Sequence, residues 1–393
     1  MNKKEKIEEI LTRGVENIYP TKEFLKKLLY SNKKLLIYLG IDPTGPNLHL
    51  GHAIQLEKMR QFQELGHKII ILIGDFTAMI GDPTDKNAAR KPLTSKQVLL
   101  NSKDYKKQIN KILKKYTIKY NSKWFNKMNF KDILNLSSNF TVQQLLERNM
   151  FNKRIKEGKP INLNELMYPV MQGYDSIIMK IDGEVGGNDQ TFNMLIGRTL
   201  MKSLYKKEKF ILTLKLLVDS QGRKMGKTMN NIISLNENSN EMFGKIMSWK
   251  DDMIIKGFEL CTKISIKKIN KFNKDYKNGK NPRDLKIILA KEIVSMYYSK
   301  KEATKVEKEF IKIFRKKGIP KYIKKYTIKT KKINPIKLIT KIKFSSSNSE
   351  AKRLIDGGGV KINNKKIISW KEDIKIKPGD IIQVGKRRFG KIK

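Results

Sequence analysis

Residues 38–52, YLGIDPTGPNLHLGH, constrain the fold more than any other stretch of the chain. The apolar run at 35–39 predicts a short buried strand. A loop rich in proline, glycine and asparagine follows, and a helical pattern resumes near Leu48 and runs to about Leu65. Because the N–H groups of a helix N-terminus face outward, this strand, loop and helix are suited to holding an anion such as a phosphate.

Two histidines mark the start of that helix. His49 and His52 are three residues apart and are expected on one helical face, where two imidazole donors can meet one anion. Zinc binding is one alternative, but the chain has three histidines and one cysteine, with no second ligand set near the pair. The other alternative is two solvated side chains, which the preceding Asp-Pro-Thr-Gly-Pro loop disfavours.

The complete stretch resembles the first signature of the class I aminoacyl-tRNA synthetases, with His-Leu-Gly-His at 49–52. The preceding Tyr-x-Gly-x-Asp-Pro-Thr is similar to that of the tyrosyl-tRNA synthetases. The resemblance implies that Tyr38 and Asp42 contact tyrosine. It also implies contacts to ATP or its migrating charge from Gly40, Thr44, His49, Gly51 and His52.

Length and composition limit the classes of protein. A chain of 393 residues predicts two or three domains. No apolar run approaches the ~18 residues of a membrane helix, so no membrane partner is predicted. The charged N-terminus is unlike a signal peptide, and the single cysteine fits a reducing cytoplasm.

The net charge is +46, from 84 basic against 38 acidic residues. Such a charge favours a polyanionic partner, with nucleic acid as the first candidate. Lysine, isoleucine and asparagine are abundant throughout, as in proteins from AT-rich genomes. The charge alone therefore does not establish RNA binding.

A Rossmann-type, doubly wound α/β sheet is predicted for residues 1–233. Residues 1–33 are predicted to form a helical leader, and 68–74 form a second apolar strand, completing a strand–helix–strand unit. Residues 94–160 are predicted to be mostly helical, with Trp124, Phe125 and Phe130 as packing anchors. The resemblance implies that this insertion forms the interface of a homodimer.

The loop after the second strand carries Gly-Asp-Pro-Thr at 81–84. Ligands of open α/β sheets bind beyond the carboxyl ends of the strands, where this loop should lie. The alternative is an ordinary turn with an Asp side chain bonded to its own backbone. The resemblance implies that Asp82 holds the amino group of tyrosine and that Lys86 and Arg90 lie near the ATP phosphates.

A second informative helix is predicted at 162–181. Tyr168, Gln172 and Asp175 fall within one stripe of it. A polar stripe usually faces solvent, but this helix is nearly devoid of lysine in a lysine-rich chain, which favours a pocket. The resemblance implies that Tyr168 and Gln172 contact the amino group, and that Asp175 and Tyr38 bond the phenolic hydroxyl.

Residues 184–198, EVGGNDQTFNMLIGR, predict a strand, a glycine turn and a helix opened by Asp189. The resemblance places Asp189 near the ribose and Gln190 near the amino acid. Thr-Phe-Asn at 191–193 departs from the Trp-Gly-Asn of the best-known bacterial form and resembles a second bacterial subtype.

A further strand at 210–218 precedes Lys-Met-Gly-Lys-Thr, which is similar to the family's second signature. Two lysines separated by a small-residue turn can reach one triphosphate. The resemblance implies that the leaving pyrophosphate is clamped by Lys224, Lys227 and Thr228.

The remaining chain divides into three predicted segments: an α-helical domain at 234–318, a lysine-rich linker at 319–335 and a small α+β domain at 336–393. The resemblance places the helical domain next to the anticodon stem. The last segment resembles the S4-type RNA-binding domain, named after a ribosomal protein; a lysine-biased α/β cap is the alternative. The RNA-contacting residues predicted there are Lys352, Arg353, Lys386, Arg387 and Arg388.

The resemblance implies a ligase that activates tyrosine with ATP and transfers it to tRNA(Tyr). Mg²⁺ should accompany ATP, but no carboxylate set marks a protein metal site. Two alternatives remain: a tryptophanyl-tRNA synthetase, which shares the fold and signatures, and a non-catalytic RNA-binding protein on the same fold. The pair Tyr38 and Asp175 disfavours the first, and the signature residues disfavour the second.

Overall fold

The computed structural model describes residues 2–83, 93–219, 221–222, 232–316, 323–328, 330–385 and 388–393, with backbone alone at 313–316. The chain forms two compact units. The first comprises Met1–Asn238 and Lys245–Tyr297, and the second comprises Ser239–Gly244 and Tyr298–Lys393. The four-part division predicted from the sequence remains a proposal.

The first unit is built on a six-stranded sheet of order β1-β6-β5-β2-β3-β4. Five strands are parallel, and β1 runs antiparallel to β6. The strands are β1 (Val15–Tyr19), β2 (Leu36–Ile41), β3 (Lys68–Ile73), β4 (Thr117–Tyr120), β5 (Gly183–Gly187) and β6 (Phe210–Leu214). Strands β3 and β4 follow β2 on one side, and β5 and β6 lie on its other side. The sheet is therefore doubly wound, as predicted.

The helices up to Tyr205 connect these strands. They are α1 (Lys3–Thr12), α2 (Lys22–Tyr30), α3 (Leu50–Glu64), α4 (Thr77–Ile80), α5 (Ser95–Ser102), α6 (Tyr105–Ile109), α7 (Ser122–Phe125), α8 (Phe130–Ser137), α9 (Val142–Leu146), α10 (Asn149–Lys156), α11 (Leu163–Met179) and α12 (Thr191–Tyr205). After β6 come α13 (Ser239–Met247), divided between the two units, and α14 (Met253–Cys261), α15 (Ile266–Lys277) and α16 (Pro282–Tyr297) of the first unit.

The interior strands agree with the prediction, whereas both edge strands are missed by it. Strand β1 lies in the predicted helical leader, and β4 lies in the region predicted to be mostly helical. No residue of either edge strand is buried, whereas every residue of β5 and β6 is. An edge strand that is covered on one side lacks the continuous apolar run from which the interior strands are recognised.

Two buried cations secure the N-terminal helix. The ammonium of Lys58, on α3, donates to the carbonyls of Ile10 and Arg13 at the end of α1, at 2.9 and 3.0 Å. The Arg13 guanidinium donates to four carbonyls in and after α14, those of Phe258, Glu259, Thr262 and Ile264. Both side chains thus donate to carbonyls at or just beyond helix C-termini, where intrahelical partners are missing.

The second unit contains α17 (Lys300–Lys316), α18 (Pro335–Lys341) and α19 (Asn348–Asp356). Its five-stranded sheet has the order β10-β9-β12-β13-β7, and β8 pairs with β11. The strands are β7 (Lys324–Tyr326), β8 (Lys332–Ile333), β9 (Val360–Ile362), β10 (Lys365–Lys366), β11 (Ile374–Lys375), β12 (Ile381–Val384) and β13 (Arg388–Ile392). A core that includes Ile339, Ile355 and Ile382 joins the helices to the sheet.

The described part of the predicted linker at 319–335 contains two short strands. Strand β7 pairs in parallel with β13, and β8 pairs with β11, so this segment belongs to the second unit. Its lysine-rich strands are two and three residues long and show no alternation that sequence analysis could detect. Among the described residues, no helix is long and apolar enough to cross a membrane.

Candidate active site

Several predicted site residues in the described part of the first unit lie where β2 and β5 run side by side. These neighbouring parallel strands flank the point at which the strand order reverses. In open α/β sheets the crevice at the carboxyl ends of such strands is the usual ligand site. The loop to α3 leaves β2 at this edge, and the glycine turn to α12 leaves β5.

Tyr38 is at the centre of a buried polar cluster. Its Cα pairs in register with that of Glu184 on β5, and its hydroxyl donates to Glu184 Oε1 at 2.6 Å. The amide of Gln172 donates to the same oxygen at 2.9 Å, and the ammonium of Lys209 donates to Oε2. Ser176 Oγ lies 3.5 Å from the Tyr38 hydroxyl and accepts from Lys209 at 2.9 Å.

Asp175 is held by residues that follow β4. Trp124 Nε1 donates to Asp175 Oδ1 at 2.9 Å, and Asn121 Nδ2 lies 3.4 Å from Oδ2. Burial raises the pKa of Asp175 well above its ordinary value, although the hydrogen bonds from Trp124 and Asn121 act to lower it. Ser176, next to Asp175 in the chain, is the residue that reaches the Tyr38 hydroxyl from this helix.

Asp42 follows β2 and accepts two hydroxyl groups. Tyr168 donates to Oδ2 and Thr77 donates to Oδ1, both at 2.8 Å. Burial raises the pKa of Asp42 to about 7, while both hydroxyl bonds oppose the shift. Gly74 is required here, because a Cβ would lie 1.9 Å from Asp42 Oδ1. Asp42 is therefore an acidic group poised to change its charge near neutral pH.

Asp82 lies near enough to Asp42 for its charge to raise the pKa of Asp42. Its carboxylate accepts from Arg148 at 3.1 Å and from Gln190 Nε2 at 2.6 Å. Asn193, fully buried, donates to the other amide atom of Gln190, Oε1, at 2.9 Å and fixes the orientation of that side chain. The structure therefore brings Asp82 and Gln190 together.

The two histidines cap α3. His49 is the N-cap residue rather than part of the helix as predicted; its Nδ1 accepts from Gly51 N at 3.1 Å. His52 Nδ1 accepts from His49 N at 3.2 Å, and the ring centroids are 4.0 Å apart. Because each Nδ1 accepts, a neutral ring carries its hydrogen on Nε2. The paired rings can thus act as two donors at a helix N-terminus.

The loop before the histidines is braced by α5 and α6. Asn101 donates to the carbonyl of Pro43 at 2.9 Å, and Tyr105 donates to that of Gly45 at 2.6 Å. The fully buried Gln108 donates to the carbonyl of Pro46 and accepts from Leu48 N. These contacts fix the loop that carries Thr44, whose N–H donates to the carbonyl of Asp42 at 2.8 Å.

The chain that follows the second signature returns to the histidines. Ser234 pairs with His49 in an isolated β-bridge, flanked by hydrogen bonds from Leu50 N to the carbonyl of Ile233 and from Leu235 N to that of Leu48. The signature residues Lys224, Lys227 and Thr228 lie outside the described residues, as do Lys86 and Arg90. Asp189 lies in a single 3₁₀ turn, Asn188–Gln190, directly after β5.

In the second unit, α19 carries Lys352 and Arg353. The Lys352 ammonium lies 4.2 Å from the centroid of the Trp370 ring, and Arg388 donates to the carbonyl of Phe344. Lys386 and Arg387 fall outside the described residues.

Comparison with known proteins identifies the family. The profile described as tRNA synthetases class I (W and Y) matches residues 30–315, and that of the S4 domain matches 336–382. A tyrosine–tRNA ligase of Carboxydothermus hydrogenoformans is 46% identical over 98% of this chain and 97% of its own length. Tyrosine–tRNA ligase 2 of Clostridium acetobutylicum is 44% identical over 98% of this chain and 97% of its own.

The chain belongs to the tyrosyl-tRNA synthetase family of class I. The resemblance stated from the sequence and the predicted fold class are thus confirmed.

Solved structures agree on the fold. A truncated mitochondrial tyrosyl-tRNA synthetase of Aspergillus nidulans superposes with a TM-score of 0.66 at 22% identity, covering 79% of this chain and 94% of that one. A tyrosyl-tRNA synthetase of Archaeoglobus fulgidus, complexed with L-tyrosine, gives 0.61 at 22% identity over 78% of this chain and all of that one.

Several residues of the cluster are not predicted as site residues. Glu184 carries a detectable signal, because it is the single charge in a strand of valine and glycine. Lys209 and Arg148 carry none, since lysine and arginine are common along the whole chain. Asn121 also lacks a signal, and Trp124 is predicted only as a packing anchor. The contact between Trp124 and Asp175 depends on β4, which sequence analysis misses.

Proposed function

We propose that the cluster between β2 and β5 binds L-tyrosine, which the enzyme activates with ATP and ligates to tRNA(Tyr). The observation that carries the proposal is the convergence of Tyr38, Gln172, Asp175 and Asp42 beside the histidine-capped helix. Four polar groups with built hydrogen-bond partners in one crevice suit a small polar substrate better than a packing role.

The phenol is recognised at the buried end. Tyr38 and Asp175 are 0% and 3% exposed, and Trp124 and Asn121 orient the carboxylate of Asp175. A pocket built to bond a hydroxyl is penalised when the hydroxyl is missing, because its own polar groups are left unpaired. The pocket therefore selects tyrosine over phenylalanine.

The amino group of tyrosine binds at the acidic end. We propose that this amino group contacts five side chains: Asp42, Asp82, Tyr168, Gln172 and Gln190. An ammonium offers only donors and favours ionised carboxylates as acceptors. The negative charge of Asp82 is one of the causes that raise the pKa of Asp42, and a bound ammonium would offset it.

Activation follows from positioning and charge stabilisation. The tyrosine carboxylate attacks the α-phosphorus of ATP, the bond to the β-phosphate oxygen breaks, and pyrophosphate leaves. His49, His52 and Thr44 would stabilise the phosphate charge, with the backbone at Gly40 and Gly51 close to the nucleotide and Asp189 near the ribose. The leaving pyrophosphate is proposed to be bound by Lys224, Lys227, Thr228, Lys86 and Arg90.

In the second step, a terminal ribose hydroxyl of the tRNA attacks the carbonyl carbon of tyrosyl-adenylate, and AMP leaves. We expect Mg²⁺ to arrive with ATP. Among the described residues, no group of three or more histidine, cysteine, aspartate or glutamate side chains could hold a metal ion.

The second unit is proposed to bind the tRNA. It contains the matched S4 domain, and the predicted contacts are Lys352, Arg353, Lys386, Arg387 and Arg388. Cationic side chains on a helix beside a small sheet suit recognition of an RNA backbone. Binding through phosphates predicts an affinity that falls with salt concentration.

A homodimer is proposed from exposed apolar side chains on α8, α9 and the start of α11. Phe130, Leu134, Val142 and Leu163 are 74%, 54%, 59% and 76% exposed. A second copy would remove this surface from water. Sedimentation would show a dimer if this surface is the interface.

We also expect the enzyme to act in the cytoplasm.

ATP–pyrophosphate exchange tests the function. We expect exchange that depends on tyrosine, with tryptophan and phenylalanine far weaker. Exchange stimulated by tryptophan would replace the proposed substrate, and absence of exchange with every amino acid would indicate a non-catalytic protein.

A further inference from the structure

Two side chains at the end of α6 contact the backbone on both sides of the histidine-capped helix start. Gln108 is 0% exposed; its amide donates to the carbonyl of Pro46 at 3.0 Å and accepts from Leu48 N at 2.7 Å. Lys111, three residues later, donates to the carbonyl of Leu235. One short stretch of chain therefore contacts both the loop that leads into the histidines and the segment that returns to them.

We propose that Gln108 and Lys111 are positioning residues for tyrosine activation, because they hold the two chain segments that meet at His49 in a fixed register. This role rests on the proposed function and adds to it two residues that act through the backbone. Neither side chain is expected to touch a substrate. What they place is His49, which is proposed to stabilise the phosphate charge.

An amide is well suited to the position of Gln108. Leu48 N–H can only donate and the carbonyl of Pro46 can only accept, so the group between them must supply one acceptor and one donor. A carboxylate has no hydrogen for Pro46, and an ammonium has no acceptor for Leu48. The planar amide of Gln108 supplies both, and the two bonds together fix its orientation.

The backbone before His49 is bonded to two different segments. Leu48 donates its N–H to Gln108, and its carbonyl accepts from Leu235 N at 2.9 Å. The carbonyl of Leu235 in turn accepts from Lys111. These bonds form a closed circuit that is completed by the chain from Gln108 to Lys111. A shift of either segment would break at least one of the bonds, so the circuit fixes the residue that precedes His49.

The register matters at the phosphate end of the site. Gln108 contacts the chain between Thr44 and His49, the two residues proposed to stabilise the phosphate charge. The proposed phenol contacts, Tyr38 and Asp175, lie on β2 and α11 instead. Because a misplacement of about 1 Å can lower a rate about a hundredfold, loosening this loop should slow adenylate formation and spare the binding of tyrosine.

A purely structural role is the competing explanation. Buried hydrogen bonds also stabilise a fold, and their loss lowers the free energy of unfolding. A less stable protein contains fewer active molecules, but each folded molecule still reacts at the normal rate. The first-order rate constant of a single turnover therefore separates the two roles, because it does not depend on the amount of folded protein.

Gln108→Met and Lys111→Met test the proposal, since methionine has a similar length but no hydrogen to donate. By rapid quench at saturating tyrosine and ATP, we expect the rate constant of tyrosyl-adenylate formation to fall about tenfold to a hundredfold in Gln108→Met. In Lys111→Met it should fall about threefold to tenfold. The dissociation constant for tyrosine, measured without ATP, should change by less than about twofold in both variants.

Lys111→Arg and Gln63→Met are the matched controls. A guanidinium can still donate to the carbonyl of Leu235, so Lys111→Arg should keep most of the wild-type rate. Gln63 lies partly exposed near the other end of α3, where its amide donates to the carbonyl of Lys115. Its replacement by methionine should leave the rate constant unchanged.

A normal rate constant in either methionine variant would overturn this inference alone, and so would a loss of tyrosine affinity as large as the loss of rate. If Gln108→Met does not fold, Lys111→Met decides the outcome, because Lys111 is partly exposed and its replacement leaves the core intact. A wild type without tyrosine-dependent adenylate formation would overturn the proposed function as well.

Discussion

Replacing Asp175 by asparagine probes the phenol pocket with the smallest change in volume. Because the indole N–H of Trp124 is only a donor, the amide oxygen of the new side chain must take the place of Asp175 Oδ1, 2.9 Å from Trp124 Nε1. The NH₂ group then replaces Oδ2, the atom that lies 3.4 Å from Asn121 Nδ2. The substitution therefore turns an acceptor into a donor at the position that faces the proposed hydroxyl.

The expected magnitude follows from that exchange. Removing one partner of a buried hydrogen bond costs about 1–3 kcal/mol, or roughly 5- to 150-fold in kcat/KM. We expect a loss of this size for tyrosine in ATP–pyrophosphate exchange, and little change for phenylalanine or in the KM for ATP. The free energy of unfolding should fall by about 1 kcal/mol, since the bond to Trp124 persists.

Asp182→Asn provides the control for this variant. Asp182 follows α11, accepts from Leu36 N at 2.8 Å and pairs with Lys33, away from the proposed ligands. It should leave the tyrosine-to-phenylalanine ratio unchanged. If Asp175→Asn lowered activity toward tyrosine and phenylalanine equally, Asp175 would not read the hydroxyl and the reasoning would be refuted.

Three other predictions concern the first unit. Burial raises the pKa of Asp42 to about 7, and an ammonium binds the ionised form of this carboxylate. In exchange assays, kcat/KM for tyrosine should therefore rise with pH through a midpoint near 7. The Asp42→Asn variant should not show this rise. Arg13→Ala removes the guanidinium that donates to four carbonyls, so the free energy of unfolding measured in urea should fall by about 3 kcal/mol. The same change at the partly exposed Arg283 should have little effect. In Gly51→Ala the new Cβ would lie 2.9 Å from the His49 ring and would displace that ring. We expect kcat for exchange to fall about tenfold while the KM for tyrosine stays unchanged. An unchanged kcat would show that His49 has no part in the mechanism.

The sequence predicts what depends on continuous patterns. The interior strands β2, β3 and β6 have strong apolar runs, the helix that carries Tyr168 and Asp175 is rich in apolar residues, and the structure contains all of them. Strand β5 is also present, although its sequence of glycine, glutamate and valine has no apolar run. The edge strands β1 and β4 are only partly buried and give no such signal.

Partnerships between distant residues are harder to predict. Glu184 bonds Tyr38 because β5 returns beside β2, and Trp124 bonds Asp175 because the turn after β4 reaches α11. Neither contact leaves a local pattern, since each depends on strand order. The motif residues can thus be recognised one by one, whereas the residues that orient them emerge only from the assembled sheet.

The most direct test of the account is a crystal structure of the protein with a non-hydrolysable tyrosyl-adenylate analogue. We predict that the phenolic oxygen lies within hydrogen-bond distance of both Tyr38 and Asp175, with the phosphate group beside His49 and His52. A phenol bound elsewhere, with Tyr38 and Asp175 contacting only protein, would contradict the central claim.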